Sequence, residues 1–303
     1  MRSPRSLIAA SALGAAALLA GLAPQAAHAT FPGDRGRIAY ETLDAIHSVK
    51  PDGSGDRKIL GTRAHEPQWS ADGRQILYHR DWYSLWRAKA DGSGKRQILQ
   101  APAHLQIHGA AWAPDGARVA VELHGERRIP GTDDDEVESV HHVYTVRVDG
   151  TGLRRLHAGR NPAWSPDGHR IAFATDQGVA TIRPDGSGFR LLRRVDGAFG
   201  PDFSPDGRRL AYHEWSKVLH VVDLATGRHR ALRPLGSGPN FLIDATWTPD
   251  GSRIAYLHRT VPAEGPWPPT RVYTIEPDGS SKRLLMEMPQ ARQPEGFSWQ
   301  PLR

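Results

Sequence analysis

Four histidines stand just after an apolar run that recurs along this chain. Each stands at the end of a short apolar run, in the stretches "ILYHR", "VELHG", "AYHEW" and "AYLHR", and the four are His79, His124, His213 and His258. Imidazole exchanges a proton near neutral pH, and it is also a common ligand of divalent metal ions. Several imidazoles on one surface would suit a polar binding site, a general base or a metal site.

Charged and aromatic side chains accompany these histidines. We interpret the whole set as a ligand-binding rim, which comprises His79, Arg80, Asp81, Trp82, His108, His124, His213, Glu214, Trp215, His258, Arg259 and Trp267. Residues shortly before the next repeat would extend the same surface, namely His65, Glu66, His104, Asn161, Asp244 and Glu295. Two long connections, 122–142 and 257–271, add variable chain to it, and such excursions often carry function.

A divalent metal is the alternative occupant of this rim. Its candidate ligands are His79, His124, His213 and His258. Local motifs do not support it, because "HEPQW" and "HEWSK" both lack the second histidine of H-E-x-x-H. We therefore expect no cofactor, keep the metal as the alternative, and assign no catalytic residue.

Several enzyme and partner classes are excluded by what the sequence lacks. There is no G-x-S-x-G nucleophile elbow, and "GSGK" at 92–95 lacks the upstream glycine of a phosphate-binding loop. The chain has no cysteine, which excludes disulfides and thiol catalysis. Its net charge is +6, but no nucleic-acid-binding module accompanies the basic residues, so we predict no nucleic-acid partner.

Repeats must position the rim. The turn "WSADG" (69–73) recurs as "WAPDG" (112–116), "WSPDG" (164–168), "FSPDG" (203–207) and "WTPDG" (247–251). An apolar run such as "RIAY" follows each copy, and then comes a second turn such as "PDGSG". Pro, Asp and Gly favour tight turns, whereas β-branched and aromatic runs favour strands. Each unit is therefore predicted to form four antiparallel strands, A to D, with the first turn between A and B.

The two ends of the chain predict how the repeats close. Residues 36–60 supply strands B, C and D without a strand A, and residues 296–301 supply a strand A alone. Together they complete one unit, so we predict an all-β, six-bladed β-propeller over residues 30–303, closed by the C-terminal strand pairing into the N-terminal blade. The A–B and C–D turns then lie on one face. The B–C and D–A connections, which carry the rim, lie on the other.

These units resemble the TolB-type, or PD40, WD40-like propeller repeat. The residues that carry the resemblance are the W-S-P-D-G-x-x-I-A-Y stretches and the P-D-G-S-G turns, and it covers residues 30–303. The resemblance implies the propeller fold. TolB itself has an α/β domain before its propeller, whereas here the first predicted strand begins near residue 36. We therefore carry over the propeller and not the role of TolB.

Two conspicuous sets of residues have a structural interpretation. The aromatic residues recur in phase with the repeat, which predicts packing between blades rather than sugar binding, and they are Trp69, Trp112, Trp164, Phe203, Trp247 and Trp299. The turn aspartates are predicted to bond their own backbone rather than calcium, and they are Asp72, Asp115, Asp167, Asp206 and Asp250.

The first 29 residues have the features of a secretory signal peptide. Arg2 and Arg5 precede the apolar run 7–23, and "AHA" at 27–29 is a small-x-small cleavage site. We predict cleavage before Thr30, which would leave a secreted or otherwise extracytoplasmic monomer without a membrane span.

Two functions fit these observations. The first is a non-catalytic binding or scaffold propeller that recognises an extracellular or envelope protein, peptide or glycan. The alternative is a metal-assisted, lyase-like enzyme acting on polysaccharide, in which rim histidines serve as base and ligands.

Overall fold

The computed structural model describes residues 30–42, 45–61, 63–128, 137–215, 217–235, 240–262, 268–288 and 296–302. The predicted signal peptide, Trp267 and Glu295 lie outside these ranges. Among the described residues, no helix has the length and apolarity that a membrane crossing requires.

The described residues form six antiparallel sheets of four strands each. Blade 1 consists of β1 (Asp34–Thr42), β2 (Ala45–Val49), β3 (Arg57–Leu60) and the C-terminal β24 (Phe297–Leu302). Blade 2 consists of β4 (Ala64–Trp69), β5 (Gln75–Arg80), β6 (Ser84–Lys89) and β7 (Arg96–Gln100). Blade 3 consists of β8 (Leu105–Trp112), β9 (Arg118–Arg128), β10 (Val137–Arg147) and β11 (Arg154–Ala158).

The other three blades repeat this order. Blade 4 consists of β12 (Arg160–Trp164), β13 (Ile171–Thr175), β14 (Gly178–Ile182) and β15 (Arg190–Arg194). Blade 5 consists of β16 (Ala198–Phe203), β17 (Arg209–Glu214), β18 (Val218–Asp223) and β19 (His229–Leu232). Blade 6 consists of β20 (Asn240–Trp247), β21 (Ile254–Thr260), β22 (Arg271–Ile275) and β23 (Arg283–Glu287).

The predicted six-bladed propeller and its closure are both confirmed. Strand β24 pairs with β1, where Trp299 lies opposite Ile38. The first and last blades also share a buried apolar cluster that includes Ile38, Phe297 and Leu257. The ring therefore closes through both hydrogen bonds and apolar packing.

The recurring aromatic residues pack between blades, as predicted. Each has at most 5% of its surface exposed. The indole of Trp112 in blade 3 donates to the carbonyl of Gln68 in blade 2 at 3.2 Å. The indole of Trp247 in blade 6 donates in the same way to Asp202 in blade 5, also at 3.2 Å. Each of these side chains thus fills the interface and ties one innermost strand to the preceding one.

The turn aspartates bond their own backbone, which also confirms the prediction. The carboxylate of Asp72 accepts the N–H of Arg74 at 3.0 Å and the hydroxyl of Ser70 at 2.6 Å. The corresponding backbone bond of Asp167 comes from His169 at 2.9 Å. These local bonds account for the recurring turn aspartates without an ion.

Glycine in the C–D turns is needed for two different reasons, which one pair of variants would separate. Gly92 and Gly186 have nearly the same backbone, with φ of 82° and 81°. A Cβ at Gly92 would lie 1.9 Å from the carbonyl oxygen of Ile59 in blade 1, whereas one at Gly186 would meet nothing closer than 3.8 Å. We expect Gly186→Ala to cost about 1 kcal/mol from φ alone, and Gly92→Ala to cost about 1–3 kcal/mol more. Chemical denaturation of both variants would measure this, and equal losses would contradict the close approach.

A bulge recurs near the start of strand A. The register with strand B shifts between His65 and Gln68 in blade 2, and equivalent shifts occur in blades 3 to 6. The bulged residues have left-handed backbones, and they are Glu66, Gly109, Asn161, Gly200 and Asp244. Gly, Asn and Asp tolerate this conformation well, but a glutamate there is uncommon.

Candidate functional site

The B–C and D–A connections surround one end of the propeller axis, which we call the mouth. Two columns of residues lie at this end of the blades, one from the start of strand A and one from the end of strand B. They face each other across the A–B ladder, as the pairs His65↔His79, His108↔Glu122, Arg160↔Ala174, Phe199↔His213 and Ile243↔Leu257. The polar members concentrate in blades 2 and 3.

Six rings from these two blades form a continuous group, the ring cluster, which consists of His65, His79, Trp82, His108, His124 and His141. The indole of Trp82 lies at its centre, 5.1 Å from His65, 4.7 Å from His79 and 5.3 Å from His108 between ring centroids. The cluster continues from His108 to His124 at 4.9 Å. It ends at His141, 4.5 Å from His124. Trp82 thus bridges the two blades.

A buried glutamate fixes the imidazole at each end of the cluster. Glu41 accepts Nδ1–H of His65 at 2.7 Å and the backbone N–H of Glu66 at 2.9 Å. Glu122 accepts Nδ1–H of His141 at 2.7 Å and the bulge N–H of Asn161 at 2.7 Å. Each carboxylate therefore ties its blade to the next one. It also holds one imidazole through Nδ1, so Nε2 is the ring nitrogen that can contact a ligand or accept a proton.

A second, fully buried pair lies beneath Trp82. Oε2 of Glu66 is 3.3 Å from Nε2 of His79, and both side chains are at most 3% exposed. Burial, together with the negative charges of Glu41, Glu122 and Asp244, raises the pKa of Glu66 well above its ordinary value. Burial lowers the pKa of His79 to about 3. His79 is therefore neutral near pH 7, and burial favours the neutral form of Glu66 as well, as expected for a pair removed from water.

Acid should destabilise the fold through His79. The folded pKa of about 3 lies below the unfolded value of about 6.5, so the unfolded chain binds an extra proton between those pH values. The contribution of His79 to the free energy of unfolding is fully present above pH 6.5, and it is lost as the pH drops toward 3. At pH 5 we expect the wild type to have lost about 2 kcal/mol relative to His79→Gln.

The measurement is the free energy of unfolding of both proteins at pH 7 and pH 5. Glu66 titrates in the opposite direction because its folded pKa is raised. It is present in both proteins, however, so comparing them isolates His79. Parallel pH profiles would contradict the neutral, buried imidazole.

The structure brings together four of the twelve residues predicted for the rim: His79, Trp82, His108 and His124. Burial lowers the pKa of His108 to about 4 and also lowers that of His124. Neighbours of these residues in the sequence turn away from the ring cluster. The Arg80 guanidinium lies over the ring of Trp86, 5.3 Å from its centroid, and the Asp81 carboxylate is 3.4 Å from Arg63.

The other predicted rim residues that the structure describes lie in blades 5 and 6. In blade 5, His213 stacks on Phe199 at 5.9 Å, Glu214 contacts His220 at 2.9 Å, and Trp215 is 54% exposed. In blade 6, the ring of His258 lies 5.5 Å from Tyr273 of strand C, and Arg259 pairs with Phe241 across the A–B ladder. Trp267 lies outside the described residues.

The proposed metal ligands do not form a metal site. Within the part of the chain that the structure describes, no three His, Asp or Glu side chains are placed to hold a metal ion. His79, His124, His213 and His258 all belong to that part, and they come from four different blades. A metal at these four histidines therefore does not fit the geometry.

Glu41 and Glu122 were missed as site residues, although the repeat contains the signal for them. In each blade, one residue directly follows the "RIAY"-type run at the mouth end of strand B, and across the six blades these residues are Glu41, His79, Glu122, Ala174, His213 and Leu257. Aligning the repeats column by column would have placed both glutamates beside the histidines. Their hydrogen-bond partners come from other strands, and no local motif reports them.

A groove opens beside the ring cluster between blades 3 and 4. Its volume is about 590 Å³, and His141, His157 and Arg160 are among its lining residues. The ring of Phe189 stacks on His157 at 4.5 Å and forms one wall. His141, whose imidazole is held by Glu122, therefore lines a cavity large enough for a sugar ring.

Comparisons with known proteins agree on the architecture. An oligogalacturonate lyase in complex with manganese matches with a TM-score of 0.56 and 16% identity, over 86% of this chain and 77% of that chain. The oligogalacturonate lyase of Vibrio parahaemolyticus gives 0.60 and 14%, over 90% and 82%. A protein of Agrobacterium tumefaciens provisionally assigned as TolB gives 0.60 and 18%, over 86% and 91%.

The chain has the TolB-like and lyase-like six-bladed propeller fold. At these identities the likeness shows the fold alone. No family model matches the chain, and no curated protein matches it. The propeller part of the predicted resemblance is thus confirmed, whereas membership of the PD40 family is not.

Proposed function

We propose that this protein is an exported, non-catalytic binding propeller whose mouth binds a chain of sugar rings from the cell envelope. The observation that carries the proposal is the placement of Trp82 and Trp215. Both lie in B–C connections, in blades 2 and 5. Blades three apart in a ring of six are opposite, so the two indoles flank the mouth from opposite sides.

Both tryptophans have a backbone conformation that disfavours them. The φ angles are 60° at Trp82 and 46° at Trp215. The turn of Trp82 closes through a bond from Tyr83 N–H to the Arg80 carbonyl at 3.1 Å, and Asp81 also has a positive φ of 52°. Asn and Gly are the usual residues at such positions, and a bulky residue costs about 1–2 kcal/mol. A strained residue of this kind supports a functional role.

The fold makes room for the indole of Trp215. A Cβ at Gly197 would lie 2.3 Å from that ring, so the indole rests directly on the glycine backbone. Gly197 immediately precedes β16, the innermost strand of blade 5, which means that the indole leans toward the axis. Its other face is free, because 54% of the residue is exposed.

Sugar rings fit this surface better than peptide does. A pyranose presents an apolar face to an aromatic ring and hydroxyls at its edge, so it needs flat rings beside polar groups. The mouth supplies both, since Nε2 of His108 lies 3.2 Å from Gln106, whose amide donates to the Tyr83 hydroxyl at 3.3 Å. Peptide recognition commonly uses an open sheet edge or an apolar pocket, whereas the indoles of Trp82 and Trp215 lie in connections between strands.

The test is binding of envelope-derived oligosaccharides of increasing length. We expect Trp215→Ala to weaken long chains by about tenfold and to leave chains too short to cross the mouth unaffected. Calorimetric titration of each length against wild type and variant measures this. Trp86→Ala, which removes a half-buried indole from strand C of blade 2 and lies outside the ring cluster, serves as the control. Equal losses at all lengths would contradict binding across the mouth.

A polysaccharide-active enzyme is the second candidate, and the two His–Glu pairs favour it. An imidazole held at Nδ1 by a buried carboxylate is oriented to act as a base through Nε2. At His141 this base would take the proton beside the carboxyl group of a uronate. The electron pair of the broken C–H bond would form a carbon–carbon double bond, and the glycosidic oxygen would leave with its bonding pair and take up a proton from water. The manganese of the solved lyase belongs to that protein, and this step uses the pair alone.

The test of the second candidate is incubation with polyuronates, followed by the ultraviolet absorbance of the new double bond. Glu122→Gln should abolish product formation if the pair acts as base. Binding without any product would leave the first candidate, whereas product lost in Glu122→Gln would replace it with the second.

A further inference from the structure

We propose that signal-peptide cleavage creates a buried ion pair between the new α-ammonium group of Thr30 and Asp202. The inference rests on the predicted cleavage before Thr30, and it is independent of the ligand that the mouth binds. The backbone nitrogen of Thr30 lies 3.1 Å from Oδ1 of Asp202. Thr30 is 5% exposed and Asp202 is completely buried.

The surroundings show that this position is built to hold Thr30. The Thr30 hydroxyl donates to Oδ2 of Asp202 at 2.5 Å and lies 2.8 Å from the hydroxyl of Thr246. The same Oδ2 accepts the backbone N–H of Trp247 at 2.9 Å. Asp202 belongs to β16 and Trp247 to β20, so the carboxylate joins the innermost strands of blades 5 and 6 to the start of the chain.

The next residues carry the chain across the axis. Phe31 is 2% exposed and belongs to the buried cluster that contains Trp112 and Trp164 of blades 3 and 4. The N–H of Gly33 then bonds the carbonyl of Pro249 at 3.2 Å. The segment 30–33 thus contacts blades on both sides of the channel and plugs it near the A–B turn face.

Cleavage changes the chemistry at this contact. In the precursor, Thr30 contributes one neutral amide N–H, and the chain must continue from a buried atom to Ala29. Hydrolysis adds a hydroxyl to the Ala29 carbonyl and a hydrogen to the Thr30 nitrogen, which then takes up a proton. The nitrogen now carries a positive charge and three donors beside a buried carboxylate. A buried carboxylate that has an opposite charge beside it is strongly favoured over one that has no such partner.

Because the ion pair forms only after cleavage, cleavage should change the stability of the folded protein. Before cleavage, the 29 preceding residues are attached at the buried end of the plug. After cleavage, the plug ends at Thr30 and the ion pair forms. The exported protein should therefore be more stable than any form that carries residues ahead of Thr30.

The experiment compares four proteins. The first is the chain starting at Thr30, released from a fusion whose protease leaves no extra residue, and the second is the same chain with Gly-Ser ahead of Thr30. The third and fourth are these two proteins with Asp202→Asn. Mass spectrometry of the exported protein checks the start. We expect the Gly-Ser extension to lower Tm by about 5–10 °C. In the Asp202→Asn background the same extension should lower it by much less. Asp206→Asn, on an exposed turn of the same blade, is the control substitution.

Three results would overturn the proposal. They are an exported protein that starts elsewhere, equal Tm values with and without the extension, and an extension effect that is undiminished in Asp202→Asn. If Asp202→Asn does not fold, carbamylation by cyanate gives the answer. The Thr30 α-amine should react much more slowly in the native protein than in the guanidinium-unfolded one, and equal rates would exclude the buried pair.

Discussion

Trp247→Ala is expected to lower the free energy of unfolding by about 3–5 kcal/mol. The indole is completely buried between blades 5 and 6. It donates to the Asp202 carbonyl at 3.2 Å, and the Arg209 guanidinium lies over it at 4.5 Å. Alanine would leave a cavity at the interface, an unsatisfied carbonyl and an arginine without its aromatic partner. Guanidinium denaturation followed by circular dichroism measures the loss.

Two further variants show whether this loss comes mainly from the buried ring or from its hydrogen bond, and whether it depends on the position between blades. Trp247→Phe keeps an aromatic ring and loses only the N–H donor and part of the volume, so a loss of about 1–2 kcal/mol is expected. Trp86→Ala removes an indole that is only half-buried on strand C, and it should cost clearly less than Trp247→Ala. A Trp86 effect as large as that of Trp247 would contradict the assignment of the recurring aromatic residues to the interfaces between blades.

Trp82→Ala is expected to weaken glycan binding by about 30-fold, which corresponds to about 2 kcal/mol. Trp82 contacts three imidazoles of the ring cluster, from two blades. Its removal takes away the stacking surface and also the side chain that fixes the positions of those imidazoles. Titration calorimetry with the best-binding glycan gives the change in Kd.

Trp86→Ala is the matched control for this prediction as well. It lies in the same blade, its indole bonds Ser84 at 2.8 Å, and it is not part of the ring cluster. Trp86→Ala should leave Kd within about twofold. If both variants weaken binding equally, the effect comes from the stability of blade 2, and the mouth is not the binding surface.

The fold was predictable because its determinants are local and repeated. Each "PDG"-type turn and each "RIAY"-type run sets its own backbone, and repetition in phase fixes the number of blades. The closure by β24 followed from the fragments at the two ends. The interface tryptophans followed for the same reason, since a residue that recurs at one position of every unit must face the same surroundings.

The site was only partly predictable because its contacts join different blades. The sequence placed His79, Trp82, His108 and His124 on one face, and the structure gathers them. It did not indicate that Arg80 and Asp81 turn away, because that depends on Trp86 and Arg63. The pairing of Glu122 with His141 follows the register of the long β9–β10 hairpin, in which these residues are two positions apart along the ladder.

The bulges and the plug also depend on contacts between distant parts of the sequence, which no local pattern reports. A left-handed residue at Glu66 is not suggested by its type, and it is imposed by the register shift between His65 and Gln68. Thr30 and Asp202 are separated by 172 positions in the sequence. Only the closed ring brings them into contact, so no local pattern could reveal that the predicted mature terminus lies within the channel.

The most direct test of the proposed function is an array of envelope glycans and peptides probed with the mature protein and with the double variant Trp82→Ala, Trp215→Ala. We predict that the wild type retains glycan chains long enough to reach both indoles and that the double variant retains none of them. Retention of the same glycans by the double variant, or retention of peptides alone by the wild type, would contradict a glycan-binding mouth.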